Sequence, residues 1–219
     1  MGKKSQEHKV SSSQTHEITD FLKQPVVHLL IIISVGFLAY SNTFFNPFQW
    51  DGIPQIVDNP LIQDIRNFIA STSGYEYNPR RFMGYLSFSL NYQTGGFNVT
   101  GYHVVNLIIH IINAVLVYFF IILTFRTPFF SSQLPVFSTQ GSGNQTLPAS
   151  SPPSRATFHL SRLTALFSAL LFVAHPIQTQ AVTYVVQRFA SLATMFYLLS
   201  LLLYFTIASK SSVVLPGYI

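Results

Sequence analysis

Residues 102–125 read YHVVNLIIHIINAVLVYFFIILTF, 24 residues without one Asp, Glu, Lys or Arg. An uncharged apolar run of more than about 20 residues is long enough to cross a bilayer as one helix. Inside it, His103, Asn106, His110 and Asn113 are spaced by three, four and three residues. That spacing puts all four on one helical face over about 15 Å of helix. Polar side chains at membrane depth must face protein or water, so the seam lines a helix interface or a cavity. Helix packing is the plainer reading for the two Asn. The two His raise the question of a metal, but the chain has no Cys and the seam has no neighbouring carboxylate, so no metal site is expected.

The rest of the chain agrees with a membrane setting. Of 219 residues, 49% are hydrophobic and 9% charged, with 21 Phe and 11 Tyr. So few charges cannot cover a soluble globule of this size. An all-α integral membrane fold is expected, with four transmembrane helices over 26–45, 102–125, 162–174 and 189–208; the third is short because His175-Pro176 ends it. Lys3, Lys4, Lys9 and Lys23 precede the first helix, and the positive-inside rule puts that end in the cytoplasm. Residues 1–25 then form a disordered cytoplasmic tail, 46–101 an outer loop, 126–161 a flexible inner loop, 175–188 a short outer loop and 209–219 an inner tail. Ala39-Tyr40-Ser41 resembles a signal-peptidase site, but the later helices require a membrane whether or not it is cut. No basic stripe interleaved with aromatics occurs, which argues against nucleic acid as a partner.

Carboxylates decide where acid–base chemistry can sit. Glu7, Glu17 and Asp20 lie in the tail, and the other four acids, Asp51, Asp58, Asp64 and Glu76, all fall in 46–101. Asp51 follows the aromatic stretch 44–50 and lies close to the apolar core of the first helix, where a carboxylate partly stripped of water is suited to take a proton. The bland alternative is a loop Asp capping the turn into 53–57. Asp58 reads as a turn or N-cap residue before a helix over 61–69, with Asp64 and Arg66 on its surface. Phe82, Leu86 and Leu90 recur every four residues behind Arg81, which suits a helix lying in the membrane interface. His175 and Arg188 flank the second outer loop. A lone outer Arg needs a carboxylate partner or an anionic ligand, and guanidinium suits either. Asn98-Val99-Thr100 has the pattern of a glycosylation acceptor in the outer loop, read here as accidental.

Several blocks together resemble a known family. Residues 50–60 (WDGIPQIVDNP), 86–92 (LSFSLNY), 101–107 (GYHVVNL) and 175–182 (HPIQTQAV) are similar to the N-terminal membrane half of the transmembrane and tetratricopeptide-repeat (TPR) proteins and their bacterial relatives. These are GT-C type glycosyltransferases similar to protein O-mannosyltransferases. The resemblance implies a partial GT-C-like fold and transfer of a sugar from a polyprenyl-phosphate donor to an acceptor hydroxyl of a protein or glycan on the outer face. In that family an acidic pair after the first helix activates the acceptor. Asp51 matches its first member and Gly52 stands where the second usually is. Arg81 matches the Arg before the interfacial helix, and Arg81, Arg188 and His175 are the candidates for holding the donor phosphate. No cofactor is implied beyond the lipid-linked sugar as substrate. The location expected is the inner membrane of a bacterium or the endoplasmic reticulum of a eukaryote. The family's many helices and repeats lead to the expectation that this chain is an N-terminal piece, of bacterial type, inactive alone. A non-catalytic membrane scaffold is the principal alternative, and a transporter using His103 and His110 a further one.

Overall fold

The central element of the computed structural model is the helix that carries the polar seam, and the other long helices lean on it. The structure describes residues 24–127, 130 and 155–214, and every element among them is helical. Four helices are long: α1 (Pro25–Ala39), α5 (Val99–Phe125), α6 (Arg155–Ala174) and α8 (Arg188–Val214). Between α1 and α5 lie a π-turn (Ile53–Val57), a 3-10 turn (Pro60–Gln63), α2 (Arg66–Ile69), α3 (Ser73–Tyr77), a 3-10 turn (Pro79–Arg81) and α4 (Phe82–Gly95). Between α6 and α8 come Pro176–Gln178, α7 (Thr179–Thr183) and Val185–Gln187. The expected tail over 1–25 and inner loop over 126–161 fall largely outside the described residues, as do 215–219.

Local chemistry explains most boundaries. Pro25, Pro60, Pro79 and Pro176 each open a helical segment, where a missing N–H costs nothing. Asn98 caps α5, its side chain accepting from the Thr100 N–H at 3.2 Å. Asn59, not Asp58, performs that task for Pro60–Gln63, accepting from the Leu61 N–H at 3.1 Å. The helix expected over 61–69 is broken at Asp64, which instead accepts from the Arg66 backbone and guanidinium. The Arg66 guanidinium holds this exposed carboxyl below the ordinary carboxylate range.

The expected set of four spans is modified in number and length. Val99–Phe125 and Val185–Ala208 are each long and apolar enough to cross a membrane. His159–Ala174 and Pro176–Thr183, bent by 50°, pass together as a broken span or a re-entrant loop, so the described residues hold two spans, or three if that pair crosses. The helix of this third element begins at Arg155, before the expected 162, so α6 has 20 residues and is not short. By contrast α1 stops at Ala39, before the expected 45, because Tyr40 leaves helical geometry. Its 15 residues cover about 22 Å, less than the roughly 30 Å hydrocarbon layer.

Two layers of packing hold the assembly. Along the bundle, Ile32 of α1, Ala114 and Tyr118 of α5, and Ala165, Ala169 and Val173 of α6 form one buried cluster. The small residues of α6 let the helix axes approach, a common membrane device. Gly36 does the same for α1, where a Cβ would come within 2.9 Å of Ile111 Cγ1. Above this, Ile56, Ile62, Phe68, Tyr85, Phe88, Tyr102, Val185 and Val186 join the outer segments to the tops of α5 and α8. The face of α4 that packs inward carries Gly84, Tyr85, Phe88 and Asn91, so Phe82 and Leu86 are half-buried and Leu90 is exposed. Phe82 and Leu86 pack against the core cluster, so only Leu90 of the 82, 86 and 90 positions stands outward.

Candidate functional site

Each residue singled out in the sequence has a definite place, and they divide into spent and unspent groups. All four seam residues bond backbone carbonyls, though Asn113 keeps its buried Oδ1 without a partner. His103 meets the carbonyl of Asn46 through Nε2 at 2.8 Å and that of Val182 through Nδ1 at 3.4 Å. Asn106 Nδ2 donates to the carbonyls of Val182 and Val185 at 3.4 and 3.2 Å. His110 Nε2 lies 3.2 Å from the Val173 carbonyl, with its ring stacked on Phe172. Asn113 Nδ2 donates to the Ser191 carbonyl at 3.0 Å. Val173, Val182 and Val185 belong to the stretch where α6, α7 and α8 succeed one another through breaks. Helix ends leave carbonyls without intrahelical partners, and buried ones must be satisfied. The seam serves that interrupted stretch.

Arg188 departs most from expectation. Rather than standing free beside the second outer loop, it is fully buried, and its partners are neutral oxygens, not a carboxylate or anionic ligand. Nε donates to Asn106 Oδ1 at 2.7 Å, Nη1 to Asn91 Oδ1 at 2.6 Å and the Ser87 carbonyl at 3.2 Å, and Nη2 to the Tyr102 carbonyl at 2.9 Å. Its guanidinium carbon lies 4.5 Å from the centre of the Phe88 ring. A buried cation is tolerable only with such bonding and with ring faces toward it. Arg188 thus clamps α4, α5 and α8 together and is not available to a lipid phosphate. Asn91, which sequence reading did not single out, is its strongest partner by distance. The Leu86–Tyr92 block contained it, but helical periodicity on that segment drew attention to the apolar positions.

His175 is likewise occupied: its Nδ1 accepts from the Ile177 N–H at 3.2 Å, capping the short turn that follows α6. The ring remains exposed. Arg81 is exposed, its guanidinium 5.0 Å from the centre of the ring of Phe189, the residue after Arg188. Phe189 in turn touches Tyr85 and Phe88 edge-on at 5.1 and 5.3 Å. Tyr85 donates to Gln55 Oε1. Burial, reinforced by Tyr77, pushes the Tyr85 hydroxyl up to about 12 against the pull of Arg81.

Asp51, like Asp58, is an acid left exposed, so it is not partly stripped of water as expected; its backbone N–H donates to the Tyr184 hydroxyl at 3.1 Å, fixing the first outer loop to the second. Trp50 beside it is 84% exposed with φ +47°, a backbone region that costs a bulky residue about 1–3 kcal/mol. Next to this junction opens a cleft of about 440 Å³ lined by Gln49, Trp50, Thr179, Gln180, Thr183, Tyr184 and Gln187. The walls are amides, hydroxyls and aromatic rings, with no charge. Gly52 has ordinary right-handed backbone (φ −64°), and a Cβ there would meet its nearest atom at 3.5 Å. The backbone therefore does not demand glycine where the family pattern has a second acid. Among the described residues no group of three or more His, Cys, Asp or Glu could hold a metal.

The sequence itself is similar to those of curated proteins. The chain is 29% identical over 203 residues to human protein O-mannosyl-transferase TMTC4, and 28% identical over 189 residues to the mouse protein of that name. It is 27% identical over 184 residues to mouse protein O-mannosyl-transferase TMTC3. Its sequence is similar to the N-terminal part of the TMTC proteins. These matches cover 80–86% of the chain but 16–24% of the relatives, so the chain spans about a quarter or less of their length. No family model and no solved structure matches it. The TMTC relationship and the long apolar helices together make the chain an integral membrane protein.

Proposed function

We propose that this chain is the acceptor-activating part of a membrane glycosyltransferase, one that passes a sugar from a polyprenyl-phosphate donor to a hydroxyl of a protein or glycan on the outer face. The observation that carries the reading is Asp51: an exposed carboxylate joined through its backbone to Tyr184, at the edge of an uncharged cleft walled by amides, hydroxyls and Trp50. Support also comes from the printed names of the relatives, protein O-mannosyl-transferases.

In the step proposed, the Asp51 carboxylate takes the proton of the acceptor hydroxyl as its oxygen bonds to the sugar's anomeric carbon. The bond from that carbon to the phosphate oxygen breaks, and the polyprenyl phosphate leaves carrying the electron pair. Arg81, exposed beside Phe189, is the cation suited to meet the added phosphate charge. Arg188, buried on neutral partners, holds the scaffold instead. The positive N-terminal tail puts this chemistry on the non-cytoplasmic side, which is lumenal in the endoplasmic reticulum and periplasmic in a bacterium.

The test is transfer from a radiolabelled polyprenyl-phosphate sugar by the full-length membrane protein. Asp51→Asn should lower the rate by at least about a hundredfold, the usual yield of a general base, while the protein melts as before. Undiminished transfer without the carboxylate would remove Asp51 from the mechanism. One observation favours a second reading: the seam and Arg188 are all committed to holding helices together, as in a scaffold subunit. Absence of transfer with every donor tried would move the assignment there.

A further inference from the structure

The end of the bundle opposite Asp51 carries a second cavity with a different chemistry. It has a volume of about 430 Å³ and lies between the start of α1, the end of α5, the early part of α6 and the late part of α8. Arg126 and Arg162 belong to its lining, and the remaining walls are chiefly apolar. Phe119, Leu123 and Arg126 follow one another down one face of α5, and Leu202 and Thr206 do so on α8. The apolar wall therefore reaches about two helical turns from the charged level toward mid-membrane. Arg126 itself is exposed at the C-terminus of α5. An occupant that satisfies such a lining must join an anionic head to an apolar body. A guanidinium pair matches phosphate oxygens, and basic pockets between membrane helices on the cytoplasmic side are suited to anionic lipid headgroups.

We propose that this cavity is a binding site for an anionic glycerophospholipid of the cytoplasmic leaflet, its phosphate on Arg126 and Arg162 and the upper part of its acyl chains along Phe119, Leu123 and Leu202. The assignment to that leaflet follows from the lysines that precede α1 in the sequence, since Pro25 at the start of α1 belongs to the cavity lining. Charge complementarity excludes a zwitterionic lipid as the preferred occupant. The distance of the cavity from the Asp51 end separates it from any lipid-linked sugar handled there. The inference does not rest on the sugar-transfer reading.

Native mass spectrometry of the detergent-purified full chain tests it, after addition of phosphatidylglycerol, phosphatidylcholine or a polyprenyl phosphate in turn. The wild type should retain phosphatidylglycerol preferentially. Arg126→Gln/Arg162→Gln should retain it about thirtyfold less well, the factor for two interfacial cations. Arg80→Gln, which removes an exposed outer charge, should leave retention unchanged. Equal retention of phosphatidylcholine, stronger retention of polyprenyl phosphate, or an unaltered double variant would each overturn the proposal. A photoactivatable phosphatidylglycerol applied to the wild type gives a reading that needs no variant. Label on peptides spanning 119–126 and 202–206 supports the site, and label confined to the outer loops overturns it.

Discussion

The buried lattice at the outer half of α5 and the exposed loop residues at the same end of the molecule use polar groups in opposite ways. In the lattice, the partners of His103, Asn106 and Arg188 are backbone carbonyls and amide oxygens. In the loop, Asp51 and Arg81 are exposed, and the cleft beside Asp51 is open. Burial is what separates them. A polar group taken from lipid or water into the bundle must be bonded, or it costs about 1–3 kcal/mol, so the buried set is consumed in holding the structure. Groups left at the water boundary carry no such obligation and remain free for a substrate. The most visible polar pattern in the sequence therefore marks architecture, and the sparse acid in the loop is the group we propose for chemistry.

That contrast makes predictions that fall in order of size. Arg188→Ala should be the most damaging change, because Asn106 Oδ1, Asn91 Oδ1 and the Tyr102 carbonyl would lose their buried donor. We expect a loss of about 3–5 kcal/mol, read as a collapse in the amount of folded protein recovered from detergent. An Arg188→Ala protein that melts like wild type would erase the distinction between spent and free residues. Next comes Gly84→Val. A Cβ there would stand 2.1 Å from Phe189 Cδ1, so overpacking should cost about 2–3 kcal/mol in thermal unfolding. Combining it with Phe189→Ala should return part of that loss, because the two share one contact. If the pair is simply additive, the close approach of α4 to α8 is wrong.

The third prediction concerns pH. The Tyr85 hydroxyl is raised to about 12, so its neutral form is favoured in the folded protein. The associated stability is complete below about 10, the unfolded value, and is lost as pH rises toward 12. A Tyr85→Phe variant should show a shallower decline of melting temperature between those values than wild type. An identical slope would mean that other tyrosines or lysines dominate alkaline unfolding. Smallest of all, Asp51→Asn should alter stability by no more than about 0.5 kcal/mol, the usual range for an exposed position. A large destabilisation there would show that Asp51 is a structural cap and belongs with the seam.

Much of this was legible beforehand. The uncharged run 102–125 announced a membrane helix, and α5 occupies Val99–Phe125. The polar residues on one face of it all turn inward, as periodicity required. Less was legible where two signals competed. Apolar content extended the first helix to 45, but Tyr40 ends it at Ala39, and hydropathy alone does not register a backbone leaving helical geometry. Asp58 fits the turn reading, closing Ile53–Val57, while its neighbour Asn59 takes the cap, since both residue types favour that position and only the local backbone distinguishes them. Phe82, Leu86 and Leu90 carried the apolar period of α4, yet Gly84 and Asn91 carry its contacts.

By itself, the sequence determined that the chain is helical, that it lies in a membrane, and that its carboxylates outside the N-terminal tail gather in one loop. Those properties follow from residue type and spacing along the chain, which act locally. The fate of each cation and histidine was decided only in three dimensions. Arg188 sits 82 residues from Asn106 and 97 from Asn91, and nothing along the chain tells a guanidinium that will bond neutral oxygens from one that awaits an anion. Burial and the directions of those long-range partners settle it, because a charge removed from water takes whatever donors and acceptors the folded surroundings supply.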